Sequence, residues 1–219
     1  ANPKLAKLRD DDDRLPIHWA TSYNRLPIVE ILSERKDFDP DVQVRDPIVL
    51  PTFPKGREGT RSDKTHIKDG AGWTPLMIAS SLKEADPSST SSSPNPPTPP
   101  SLKIEPRYSQ KLIANKASAR VKDKRGQLPL HRAAAVGSVP MVKLLLENRS
   151  PVNGSDGDGC TALHHAVAEG HGDTAVVLLK AGAETDKRDN SGALALDLAP
   201  DAKVRSYITR AAEEEGIAL

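Results

Sequence analysis

Gly126-Gln127-Leu128-Pro129-Leu130-His131-Arg132-Ala133, Gly159-Cys160-Thr161-Ala162-Leu163-His164-His165-Ala166 and Gly192-Ala193-Leu194-Ala195-Leu196-Asp197-Leu198-Ala199 are three versions of one phrase. The step from Leu128 to Thr161 equals the step from Thr161 to Leu194, about 33 residues each. Thr161 stands where a helix start needs a hydroxyl to accept from free first-turn amides. Pro129 and Pro75 stand one place inside, where a missing N–H costs nothing and a fixed φ suits the first turn. Gly137 and Gly170 follow at the point where a left-handed residue stops a short helix. A second apolar run, Met141-Val142-Lys143-Leu144-Leu145-Leu146 or Ala175-Val176-Val177-Leu178-Leu179, then recurs at helical spacing, and Gly182 closes the latter. Leu15, Leu128 and Leu194 replace the threonine, so their helices are expected to lack its side-chain cap, a loss on the order of 1 kcal/mol each.

This period with a T-P-L-H-x-A core resembles the ankyrin repeat, a turn followed by two antiparallel helices. One such unit has too little apolar surface to fold alone, so neighbours must stack and share a core. The expected fold is therefore all-α, a solenoid of stacked helix pairs with hairpin loops. Composition agrees. At 219 residues, 37% hydrophobic and 3% aromatic, the chain is suited to a thin Ala/Leu-rich stack. Lys+Arg 31 against Asp+Glu 30 leaves a net charge of +1, which argues against a dedicated nucleic-acid surface. The single cysteine, Cys160, excludes an internal disulfide and fits a reducing compartment. Neither a membrane-length apolar run nor a signal-peptide pattern is present, so a soluble intracellular protein with no membrane partner is expected. It is further read as cytoplasmic and nuclear and as a monomer.

Residues 1–43 read as the N-terminal part of the stack. Ala1 to Arg9 resembles the end of a preceding second helix, Asp10 to Asp13 an acidic turn, and Leu15-Pro16-Ile17-His18-Trp19-Ala20 a further copy of the phrase, followed by an apolar run through Ile28, Val29, Ile31 and Leu32. The next copy, Thr74-Pro75-Leu76-Met77-Ile78-Ala79, follows Leu15 at nearly twice the period. Residues 44–68 form an irregular insertion. Omitting it brings the step back to about one period and joins Asp41-Val42-Gln43 to Asp69-Gly70-Ala71-Gly72 as an ordinary hairpin. The insertion reads as a retained intron, or else as a long surface loop, which solenoids tolerate. Residues 69–86 make a partial repeat. Residues 87–110, rich in Ser and Pro, are expected to be disordered. The step from Thr74 to Leu128 falls short of two periods, so a second helix after Ala79 and most of a following repeat are read as missing, with Lys111 to Arg125 as the tail of that damaged repeat. Residues 111–219 carry the remaining repeats and a C-terminal capping helix.

No catalytic or cofactor constellation stands out, and the chain is read as a non-enzyme without metal or cofactor. His18, His131 and His164 share one slot and are expected to bond within the turn. Cys160 and His164 lie one helical turn apart, but a structural zinc site takes four ligands and a Cys-His catalytic pair a third orienting group. Trp19 and Trp73 adjoin the phrase at matching positions, either as core or as exposed binding anchors.

Arg14-Leu15-Pro16-Ile17-His18-Trp19-Ala20 and Lys68-Asp69-Gly70-Ala71-Gly72-Trp73-Thr74-Pro75-Leu76 resemble the gankyrin family of proteasome regulatory-particle assembly chaperones. The runs Lys122-Asp123-Lys124-Arg125-Gly126 and Ala181-Gly182-Ala183-Glu184-Thr185-Asp186-Lys187-Arg188-Asp189 are similar to its fungal members. The resemblance implies a seven-repeat stack whose concave surface holds the C-terminal domain of one proteasomal AAA ATPase subunit and delays docking of the base onto the core particle. By motif it implies contacts at Asp12, Arg14, Trp19, Tyr23, Asp69, Trp73, Met77, Arg125, Arg132, Glu169 and Asp189, alternating charge around aromatic anchors. The rival expectation is an ankyrin adaptor for another intracellular signalling or transcription protein.

Overall fold

The computed structural model describes residues 3–10, 14–23, 25–43, 72–82 and 107–217. Expectations placed on residues 44–68, on Asp12 and on Asp69 lie outside that set. A 3-10 turn, Pro3–Lys7, leads into α1 (Pro16–Ser22) and α2 (Leu26–Ser33). Then come α3 (Pro75–Ser80), α4 (Arg107–Ala114), α5 (Pro129–Val136), α6 (Val139–Glu147), α7 (Ala162–Ala168) and α8 (Gly172–Lys180). A second 3-10 turn, Ala195–Leu198, and α9 (Ala202–Glu214) finish the stack.

The helices form two rows. First helices pack α1 on α3, α3 on α5, α5 on α7 and α7 on the Ala195–Leu198 turn, while in the second row α2 meets α4, α6 meets α8 and α8 meets α9. Within each unit α1 packs on α2, α3 on α4, α5 on α6 and α7 on α8. One apolar core runs through both rows, from Ile17 and Val29 through Leu76, Leu112, Leu130, Leu145, Leu163 and Leu178 to Ile208. This is the all-α repeat solenoid that the period implied.

The centre of the stack differs from the sequence reading. Helix α4 fills the second-helix slot against α3, with Leu112 fully buried and Tyr108 accepting the Leu26 amide at the edge of α2. The stretch from Thr74 to Leu128 therefore builds one complete repeat, longer than the ordinary period because more residues lie between its two helices than in the other units. The damaged repeat expected there is not a separate unit, and 111–125 is not its tail. The helix also begins at Arg107, inside the stretch 87–110, because Tyr108 and Ser109 are buried against the stack. Among the described residues five repeat units are built, where the resemblance implied seven.

Gly137 shows why a glycine closes a first helix. Its φ is +80°, and a Cβ there would sit 2.5 Å from the His171 ring, which itself bonds the Ala135 carbonyl.

Candidate functional site

Among the described residues four units open with a hairpin aspartate. Counting from it as position 1, position 5 precedes the helix cap, position 9 is the histidine slot and position 10 follows it. Asp10, Asp123, Asp156 and Asp189 each accept the amide of their position 5, from Arg14, Gln127, Cys160 and Ala193, at 2.8 to 2.9 Å. Each also donates its own amide to the carbonyl of the same residue. The carboxylate thus satisfies the amides of a tight turn that has no ladder of its own to bond them.

The histidine slot joins repeats. In three units the ring Nδ1 accepts the amide of the cap residue, Leu15 to His18 at 3.0 Å, Leu128 to His131 at 2.9 Å and Thr161 to His164 at 3.2 Å. That geometry assigns the proton to Nε2, which donates to the next hairpin: His18 to the Val42 carbonyl, His131 to those of Gly154 and Cys160, His164 to that of Ala193. The leucine caps have no hydroxyl, and Thr161 does not cap with its own, contrary to expectation: its hydroxyl lies 2.9 Å from His164 Nδ1, and it is Thr74 whose hydroxyl accepts the Met77 amide. The imidazole satisfies the cap amide from behind in each case, and Asp197 does the same for Leu194. Burial pushes the His18 and His131 pKa down to about 4.

Position 10 carries a ladder of side chains along the stack. Its side chain reaches back to the second oxygen of its own hairpin aspartate: Trp19 Nε1 to Asp10 at 2.6 Å, Arg132 Nη2 to Asp123 at 3.3 Å, His165 Nε2 with Asp156 at 2.9 Å. Burial alone would raise the Asp156 pKa, but the bonds from His165, Gln127 and the Cys160 amide outweigh it and hold the carboxyl well below its usual range. Two cation–π stacks extend the ladder, Arg14 over Trp19 at 4.0 Å and Arg132 over Trp73 at 4.1 Å, each worth roughly 0.5–2 kcal/mol. Tyr23 stacks on Trp19 at 5.5 Å and leaves 45% of its surface to solvent.

The residues implied by motif fall into these positions. Arg125 is exposed at a hairpin tip and pairs distantly with Asp158. Asp189 caps the last hairpin, and Glu169 is exposed at the end of α7, in the position Tyr23 holds at the end of α1. Trp19, half-buried, and Tyr23 form the aromatic part of the surface. Trp73 and Met77 need correction as contacts. Met77 occupies the histidine slot and is 0% exposed; Trp73 is at position 5, not at Trp19's position 10, and is 1% exposed beneath Arg132. Neither offers a side-chain face to a partner. Arg14 is likewise buried between Asp10 and the Trp19 ring. Sequence reasoning missed His165 and the hairpin carboxylates Asp123 and Asp156, although the fixed interval from aspartate to position 10 was there to read.

Cys160 makes no metal or nucleophile site with His164. The His164 Nδ1 is committed to Thr161, and burial together with Asp156, Asp189 and Asp158 pushes the thiol up to about 11. Among the described residues no group of three or more His, Cys, Asp or Glu is placed to hold a metal ion, and no helix is long and apolar enough to cross a membrane.

Repeat hairpins closed by aspartate, a histidine relay between units and an aromatic-and-charged ladder define an ankyrin-repeat protein. The family described as "Ankyrin repeats (3 copies)" matches residues 108–189. The chain is also 35% identical over 161 residues to the probable 26S proteasome regulatory subunit p28 of Saccharomyces cerevisiae, a likeness covering 66% of this chain. It spans 60% of that relative's length. The gankyrin-like character expected from the tryptophan-bearing motifs is thus supported by a relative whose name places it in the proteasome.

Proposed function

We propose that this chain is a non-enzymatic scaffold that chaperones assembly of the proteasome regulatory-particle base by binding the C-terminal domain of one AAA ATPase subunit. The likeness to p28 carries the reading. The ladder supplies a surface suited to it. Trp19 and Tyr23 form a rigid stacked pair held by Asp10 and Arg14, and such pre-organised aromatics bind with little loss of rotamer freedom. Arg125, Glu169 and Asp189 add charges of both signs in the later units of the stack, which steer and orient a charged partner. Asp12 and Asp69 complete the proposed contact set. The bound chain blocks the ATPase ring from its docking surface until assembly is ready, in the cytoplasm and nucleus.

Immobilised chain challenged with the purified C-terminal domain of each base ATPase tests this. One domain is expected to be retained, with Tyr23→Ala weakening binding about tenfold, the cost of truncating one aromatic anchor. Retention of none refutes the reading, and a different protein recovered from lysate in their place assigns the chain to the adaptor class.

A further inference from the structure

Helices α1, α3, α5 and α7 pack side by side in that order. At the end of each stands the residue four places after position 10, one helical turn on and therefore on the same face. These residues are Tyr23, Leu82, Val136 and Glu169. The stacking of Trp19 on Tyr23 shows the two positions meeting. Tyr23 and Glu169 are exposed, while Leu82 and Val136 are half-buried. The row therefore changes character along the stack, with an aromatic or aliphatic side chain in three successive units and then an acid.

Two properties decide what such a row can hold. The first is hydrogen bonding. The polar groups beside the row are committed within the chain: Trp19 Nε1 donates to Asp10, Arg132 Nη2 to Asp123, His165 Nε2 bonds Asp156, and the Ser22 and Ser81 hydroxyls donate to the carbonyls of His18 and Ile78. In the next two units Ala135 and Ala168 take the place of those serines. An extended segment laid here would lose water from its amides and carbonyls and gain few partners, whereas an α-helix satisfies its own backbone. The second property is charge. Arg14, Arg132 and His165 each pair with the aspartate of their own hairpin, but Glu169 forms no ion pair among the described residues. A basic side chain is its complement. The spacing agrees with a helix. Helices packed side by side stand roughly 8–10 Å apart, and seven residues of an α-helix rise about 10.5 Å. A helix lying along the stack thus presents one residue to each unit, every second turn.

We propose that the row Tyr23, Leu82, Val136 and Glu169 is the docking track for an amphipathic α-helix of the protein partner, which sets apolar residues one heptad apart on the first three and a Lys or Arg one heptad further along at Glu169. The proposal rests on the partner-binding reading above and gives that partner its local structure and charge. It also adds Leu82 and Val136 to the contact surface, in the two units between the Trp19–Tyr23 pair and Glu169.

Photo-crosslinking to the retained ATPase domain tests the track. Benzoylphenylalanine replaces Val136 or, as a control, Lys143 on the exposed side of α6, and the captured segment is mapped by mass spectrometry. The probe at 136 is expected to capture a helical segment with apolar residues seven apart and a basic residue one heptad beyond, and the probe at 143 to capture none of it. Leu82→Gln and Val136→Gln, with melting temperatures confirming that they fold, should each weaken retention about fivefold, and Glu169→Lys about tenfold. Changing the mapped basic residue of the partner to Glu should restore binding to Glu169→Lys. Capture of a loop or strand at 136, equal capture at 143, or unchanged retention in all three variants overturns the track. Retention by the unaltered chain separates the two levels: a domain retained equally by chain and variants removes the track and leaves the proposed function, and no domain retained by the unaltered chain removes both.

Discussion

Acidification should weaken this fold well before the depressed carboxyls of Asp10 and Asp156 titrate. His18 and His131 are buried with Nδ1 accepting a cap amide and Nε2 donating to a neighbouring hairpin, an arrangement that only the neutral ring can make. Their pKa values fall from 6.5 to about 4, chiefly through burial, against the pull of the carbonyls they donate to. The unfolded chain therefore binds more protons than the folded one between those limits, and stability rises with pH. The contribution is complete above about pH 6.5 and is lost as pH falls toward 4. At pH 5 each histidine accounts for about 2 kcal/mol, so the pair removes about 4 kcal/mol relative to pH 7, a large share of the roughly 5–15 kcal/mol typical of a domain. The depressed carboxyls of Asp10 and Asp156 lose their contribution only below their ordinary value of 3.8 and do not enter this window. Urea denaturation followed by circular dichroism at pH 7, 6 and 5 measures the effect. His131→Gln should be less stable at pH 7 but should lose only about half as much on acidification. A free energy of unfolding unchanged between pH 7 and 5 would show that these rings are solvated or charged in the fold, and would refute the inter-repeat relay.

Three further outcomes follow from the same geometry. Asp123→Ala should cost about 3 kcal/mol, since it leaves the buried Gln127 amide, the part-buried Arg125 amide and the Arg132 guanidinium without their acceptor, whereas Asp189→Ala in the exposed last hairpin should cost about 1 kcal/mol; thermal melts compare them. Leu112→Ala should cost about 2–5 kcal/mol if α4 belongs to the core, and a change below about 0.5 kcal/mol would detach that helix from the stack. Deleting residues 44–68 should leave the melting temperature equal or slightly higher, because His18 already bonds Val42 on one side and the restored step matches one repeat; loss of the cooperative transition would show that the insertion holds the first two units together.

Much of this molecule was present in the phrase that recurs. A hairpin aspartate, the amide it accepts, the histidine slot and the ladder residue beside it all lie within one repeat, so short-range spacing determines the unit and its internal bonds. The sequence could also say that the units stack, since none buries enough surface alone. It could not say which helices become neighbours where the period fails. That Arg107–Ala114 completes the repeat begun by Pro75–Ser80 depends on apolar faces meeting across a stretch with no helical pattern, and on Leu112 and Tyr108 finding the same core as Leu76 and Val29. The Trp73–Arg132 stack has the same origin. Its members belong to different repeats and meet only because the third unit sits directly on the second. Within a repeat the backbone fixes which side chains meet; between repeats only the packed core does, and there the tertiary structure decided for Trp73 between core and exposed anchor, making it a buried support.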